Sequence, residues 1–370
     1  MHVRNGSKAD DLHETESHPL HSTQRANAEA SLDVCVGQKT LEGAKRYFVS
    51  FWCKRLARNI KKRSPRVKHD SRLQDLLWRA EYGALRAIAA FFRALPLNLA
   101  TGASAFCWRR LAPLIKSKRH QRALNNLAIA FPEKSDEERR EIALKHWENL
   151  GRVMVETMRI DRFLAEPERV DIVSQNIFSR YKDKLGAAIG VGLHFGNWEL
   201  AVLPFTWAGA NPAAIYRSVD NPYVDRYLRN QRKDICPGGL FGRGKVGEHG
   251  DDQKTARAIM DFVRRGGRLA LVCDLYDRTG IPVPFFGINA KTQAIAAIIA
   301  RRVGARMWLS RAKRIGTESR FEVEIKELRV PRTPDQSADV RWVMVHMQKE
   351  FEGWIREAPE QWMWSNRRWS

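Results

Sequence analysis

Short apolar runs alternate with longer helical stretches over the last two-thirds of the chain, and this alternation restricts the fold more than any other feature. Ala187–Leu193, Ala213–Tyr216, Leu269–Cys273, Ala305–Arg311 and Phe321–Glu327 each read as a strand. Ser135-Asp-Glu-Glu138 is a capping box, opening a helix that continues to about Ile160. Further helices are expected over Asp251–Arg265, stopped by Gly266-Gly267, over Thr292–Val303 and over Asp339–Glu357. Strands that alternate with helices predict an α/β fold, with a central mainly parallel or mixed sheet flanked by helices. No internal repeat interrupts the pattern.

The chain ahead of this region divides in two. Residues 1–70 read as a disordered or basic extension: Met1–Ser31 is rich in His, Ser, Asn, Asp and Glu, and Lys54–Lys68 carries eight basic residues and no acidic one. That basic run fits either a solvated arm or an anchor for anionic membrane lipid. Residues 71–120 read as amphipathic membrane-associating helices. Within Leu76–Ile115, Arg79, Glu81, Arg86 and Arg93 break the apolar residues, so a helix lying in the interface fits better than one crossing the bilayer. Two ordinary helices packed on a core are the competing reading. Residues 121–370 then form the α/β domain.

Lys and Arg outnumber Asp and Glu by 64 to 42, a formal charge of +22, and such a field attracts nucleic acid, anionic lipid or an acidic protein. No helix-turn-helix, zinc-finger spacing or aromatic RNA-binding block is present, so nucleic acid is not an expected partner. The five cysteines, Cys35, Cys53, Cys107, Cys236 and Cys273, are scattered without a C-x-x-C pair. This argues against a disulfide framework and a zinc site, and neither metal nor cofactor is expected. Twelve tryptophans suit a headgroup layer as well as a core. No signal-peptide core follows Met1, which predicts a cytoplasmic-side protein.

The segment richest in chemistry is Gly190-Val-Gly-Leu-His194-Phe-Gly-Asn-Trp-Glu199. An apolar strand running into a polar turn sets His194 at a carboxyl strand end, where open α/β sheets hold their ligands. His194 and Glu199 can meet only with the histidine in the turn and the glutamate in the first helical turn, a turn that Gly196 eases. A neutral imidazole there could take a proton from a hydroxyl attacking a thioester carbonyl, with Glu199 on the other ring nitrogen fixing the tautomer. No serine or cysteine sits in a nucleophile elbow nearby, which favours direct transfer.

Gly192-Leu-His-Phe-Gly-Asn-Trp-Glu-Leu200 closely resembles the signature of the bacterial lipid A biosynthesis acyltransferases, part of a wider group of glycerolipid acyltransferases. Four more blocks resemble that family in order. They are Leu124–Glu133, Ile215-Tyr-Arg217 with Asp220-Asn-Pro222, Asp274 with Pro282–Gly287, and Pro359–Trp364 with Arg367-Arg368-Trp369. The chain departs from the pattern at Leu275, where Gln is usual, and at Ser365 or Asn366, where His is usual. The resemblance implies that residues 121–370 are an acyltransferase domain. It would move a fatty acyl chain from an acyl carrier protein thioester to a hydroxyl of a lipid A precursor, at the cytoplasmic face of the inner membrane. A phospholipid or lysolipid acyltransferase would use the same pair on another acceptor.

Under this resemblance His194 and Glu199 are catalytic, and Asn197, Arg217, Asp274, Gly287, Arg367 and Arg368 are candidate substrate contacts. Arg217 could hold phosphate or an oxyanion, against an ordinary surface ion pair. Asp274 could orient a basic residue or the acceptor. Gly287 is read first as a turn requirement, Trp364 and Trp369 as packing or interface residues, and Arg367 and Arg368 as headgroup contacts.

Overall fold

The computed structural model describes residues 71–174, 186–243 and 252–369. The expectations for Met1–Ser31 and Lys54–Lys68 lie outside them. Two helices come first, α1 (Ser71–Ala94) and α2 (Leu97–Ile115), broken at Pro96, which cannot donate to a continuing helix. Helices α3 (Ser117–Ala130) and α4 (Asp136–Met158) follow, then a short α5 (Ile160–Ala165). The capping box of α4 is present in both halves: Ser135 accepts from the Glu138 amide, and Glu138 accepts from the Ser135 amide.

A seven-stranded sheet forms the centre. Its strands are β1 (Val170–Ile172), β2 (Ala188–Gly196), β3 (Ala213–Arg217), β4 (Gly239–Arg243), β5 (Arg268–Val272), β8 (Arg306–Arg314) and β9 (Phe321–Leu328). They lie in the order β1-β9-β8-β2-β5-β3-β4, parallel at every pairing except β8 with β9. The expected α/β class with its mainly parallel sheet is therefore present. A separate hairpin, β6 (Tyr276–Phe285) and β7 (Ile288–Thr292), was not legible as strands, nor were β1 and the glycine-rich β4.

Short α6 (Leu203–Trp207) and α7 (Pro222–Arg232) follow β2 and β3, and α8 (Asp252–Arg264) leads into β5. Helices α9 (Ile295–Val303) and α10 (Gln336–Glu357) pack against the sheet. Ile189, Val191, Leu193 and Phe195 of β2 are buried in the main core, where β5, α8, α9, α10 and three carboxyl-terminal tryptophans also contribute. The side-chain period of a strand is two, so His194 is turned to the opposite face. Beside β8 the register of β2 shifts: Gly192 faces Ser310 and Gly196 faces Ala312, so four steps of one strand oppose two of the other. His194 lies inside this irregular stretch, where extra residues re-aim a side chain.

Candidate active site

His194 is the third-last residue of β2, inside the strand rather than in the turn that was expected to hold it. The following turn is built by Gly196, whose φ of +56° belongs to the left-handed region. A Cβ at that position would lie 1.8 Å from the carbonyl oxygen of Ala312, so only glycine fits. Glu199 then enters a short 3-10 helix, Trp198–Val202.

The imidazole partner is Asp274, two residues past the end of β5. Its Oδ1 lies 2.7 Å from His194 Nδ1, and its Oδ2 accepts from the His194 amide and from Trp362 Nε1, both at 2.8 Å. Asp274 is fully buried, and the histidine ring, the histidine amide and the indole occupy its oxygens; this is the geometry of a carboxylate that orients a basic residue, one of the two roles expected of it. Burial alone would favour the neutral acid, yet the charge of His194 and these hydrogen bonds hold the carboxyl below the usual carboxylate range. For His194, burial opposes the charged ring, but the Asp274 charge and hydrogen bond, with a smaller contribution from Glu199, raise its pKa above the ordinary value. With Nδ1 donating to the carboxylate, Nε2 is left as the basic nitrogen. The side chain keeps 16% exposure, and Trp198 stands edge-on 5.2 Å from it.

Glu199 does not hydrogen-bond the ring. Both of its oxygens are held by Arg232, at 2.8 Å to Nε and 2.5 Å to Nη2. A guanidinium matches a carboxylate bidentately, a stronger claim than one ring N–H can make. Burial disfavours the Arg232 cation, but Glu199 raises its pKa. Beside this pair, burial and the Glu199 charge push the Cys236 thiol up to about 12, which keeps it protonated and a poor nucleophile.

Asn197, a candidate substrate contact, is 1% exposed; its Oδ1 accepts from the Glu199 amide and its Nδ2 donates to Glu156, so it shapes the turn. Beneath it lies a buried ion pair, Glu156 with Arg314, which Asn149 extends by accepting from Arg314 Nε and donating to the Gly196 carbonyl. Arg368 is fully buried too, over the Phe285 ring, with Nη2 donating to Thr292 and Gln348. Desolvation pushes its pKa down to about 10, and a side chain sealed in the core cannot reach a headgroup. Arg367 is exposed and stacks on Tyr276 at 4.2 Å. Gly287 and Phe286 form the two-residue turn of the β6–β7 hairpin, with φ of +74° and +51°. Arg217 ends β3 in the open, and among the described residues its side chain has no hydrogen bond or ion pair.

The structure thus brings His194 to Asp274, and Glu199 to a residue the sequence did not single out. Arg232 is 33 positions from Glu199, beyond any local spacing rule. Trp362 lies inside the Pro359–Trp364 block, but its role depends on the carboxyl-terminal segment running back along β2. There Phe195 bridges Trp362, and the Met363 amide donates to the His194 carbonyl at 3.0 Å.

Residues 68–370 match the model of a family described as bacterial lipid A biosynthesis acyltransferase. The chain belongs to that family. This acyltransferase is 28% identical over 268 residues to the lipid A biosynthesis lauroyltransferase of Escherichia coli (strain K12), covering 70% of this chain and 81% of that one. It is 25% identical over 263 residues to the lipid A biosynthesis palmitoleoyltransferase of the same organism, covering 69% and 80%. A lipid A biosynthesis acyltransferase of Shigella flexneri matches to the same extent, 25% over 263 residues. Among the described residues, no helix of the acyltransferase is long and apolar enough to cross a membrane.

Proposed function

We propose that the enzyme transfers a fatty acyl chain from an acyl carrier protein thioester to a hydroxyl of a lipid A precursor, on the cytoplasmic face of the inner membrane. The observation that carries the mechanism is the buried Asp274 carboxylate on His194 Nδ1, which leaves Nε2 as a base at the carboxyl edge of the sheet. His194 Nε2 takes the acceptor hydroxyl proton as the oxygen bonds to the thioester carbonyl carbon. The tetrahedral intermediate then expels the carrier thiolate, which recovers the proton from the imidazolium. Asp274 fixes the tautomer and stabilises that imidazolium, and such a base contributes on the order of 10²–10⁴ in rate.

Glu199 acts at longer range, through its charge on the ring and through the hold it keeps on Arg232. Arg217, exposed two strands away at the same sheet edge, offers a cation for phosphate or for oxyanion charge. The acidic carrier and the phosphorylated acceptor are both drawn to a surface of formal charge +22. Attachment to anionic membrane lipid would run through α1 and α2. The test incubates the purified protein with a panel of acyl carrier thioesters and a lipid A precursor, and weighs the product. A mass gain of one acyl chain on the precursor is expected. Acylation of a lysophospholipid in its place would move the enzyme to another acceptor class.

A further inference from the structure

A cavity of about 550 Å³ opens between α1 and α7, away from the His194–Asp274 pair. It lies within the usual size range of ligand sites. Helix α1 is held across α7 at one end, where Asn221 Nδ2 donates to the Trp78 carbonyl and to Glu81, and the Tyr223 hydroxyl donates to Asp75. At its other end Arg93 clamps Asp161 with two bonds and reaches the Met158 carbonyl. The space between is lined by Tyr82, Arg86, Tyr223, Arg226, Tyr227 and Asp234 among others.

Two features define what this space suits. Neither Arg86 nor Arg226 has a carboxylate partner among the described residues, and Arg86 is instead held over the rings of Tyr82 and Tyr227, at 6.0 and 5.8 Å. The Arg93–Asp161 pair is internally neutral, so two uncompensated guanidinium groups face one carboxylate, Asp234. The second feature is the outward side of α1. Leu73, Leu77, Ala80, Ala84, Ala87, Ile88 and Phe91 share one helix face and are exposed, Leu77 by 56% and Phe91 by 61%. The opposite side of α1, toward the cavity, carries Arg72, Arg79, Arg86 and Arg93 at seven-residue intervals, and Arg86 and Arg93 line the cavity itself.

We propose that the cavity holds the phosphate of an anionic bilayer lipid whose chains lie against the α1 stripe. The arrangement places apolar surface, tyrosines and cations in the sequence a leaflet presents them: acyl chain, interface, headgroup. The proposal rests on the membrane attachment proposed above. Its test is flotation of the full chain with phosphatidylcholine vesicles, with and without phosphatidic acid. Arg86→Gln with Arg226→Gln should weaken binding to the phosphatidic acid vesicles by about tenfold or more. Lys118→Gln with Arg119→Gln removes the same charge from exposed positions on α3 and should weaken it far less. Arg86→Lys with Arg226→Lys should retain most of the binding. Inorganic phosphate at matched ionic strength should not displace the chain. Equal losses for the two glutamine pairs, or displacement by inorganic phosphate, would overturn the cavity assignment alone. A chain that binds neither vesicle type would overturn the membrane attachment with it.

Discussion

One imidazole has two carboxylates in its neighbourhood, and hydrogen-bond geometry separates their tasks. Asp274 is bonded to the ring and sealed from water, whereas Glu199 acts on it only through space. Asp274→Asn should therefore lower kcat/KM by roughly 10²–10⁴, and His194→Ala with Asp274→Ala should be little worse than His194→Ala alone, because the two act as a unit. Additive losses in single-turnover kinetics would break the pairing. The pH profile carries a sign as well. The base works when neutral, and its pKa is raised from 6.5, so kcat/KM should climb through an acid limb centred above that value. Asp274→Asn removes the charge that raises it and should move the limb to lower pH. An unmoved limb would mean that another group titrates. Arg368→Ala should act on stability, by about 1–3 kcal/mol in denaturant melts, with KM unchanged, because its bonds are all inside the core.

Two glycines answer to different demands of their elements. Gly196 combines a positive φ with a carbonyl 1.8 Å from any added Cβ, directly after the strand that aims His194. Gly196→Ala should cost roughly 3 kcal/mol or more and lower kcat in whatever folds, since the turn must open. Gly287 has the positive φ and nothing within 4 Å. Gly287→Ala should cost only about 1 kcal/mol and leave KM for both substrates unchanged. A raised KM would instead make that turn part of the binding surface. The Gly287 hairpin has its own structural use: Phe285 packs on Trp362 and Trp369, which backs the indole that donates to Asp274.

At the scale of the molecule, the proposed membrane attachment rests on the positive charge and the exposed apolar stripe of α1. Removing Lys54–Ile115 outright would expose α4, because α2 packs along it, with the Ser104 hydroxyl on the Gly151 carbonyl and Trp108 against Trp147. Leu77→Glu with Phe91→Glu keeps that packing and places charge on the exposed stripe. This variant should shift from the membrane pellet to the supernatant on fractionation while its acyl transfer to detergent-dispersed acceptor is maintained. An unchanged pellet would place membrane attachment elsewhere. Raised salt should increase KM for the carrier thioester while leaving kcat in place, through screening of the positive surface.

Periodicity alone determined the fold class, because burial on a parallel sheet writes near-continuous apolar runs such as Ala187–Leu193 and Leu269–Cys273, and helix entry writes a cap such as Ser135–Glu138. The local pattern around His194 also singled it out as the proposed base. What it could not determine was the base's partner. Glu199 was the near carboxylate in sequence, but Asp274 is 80 positions away and arrives only because β5 lies beside β2 in register, Gly192 against Val272. Arg232, Trp362 and the Glu156–Arg314 pair reach the site by the same route, through strand order and the return of the carboxyl-terminal segment. Burial decided the rest: Asn197 and Arg368 look like surface contacts as residue types, and packing closed over both. Hydrogen bonds between distant segments depend on which elements become neighbours, and that is settled by burying the apolar faces of the whole chain at once.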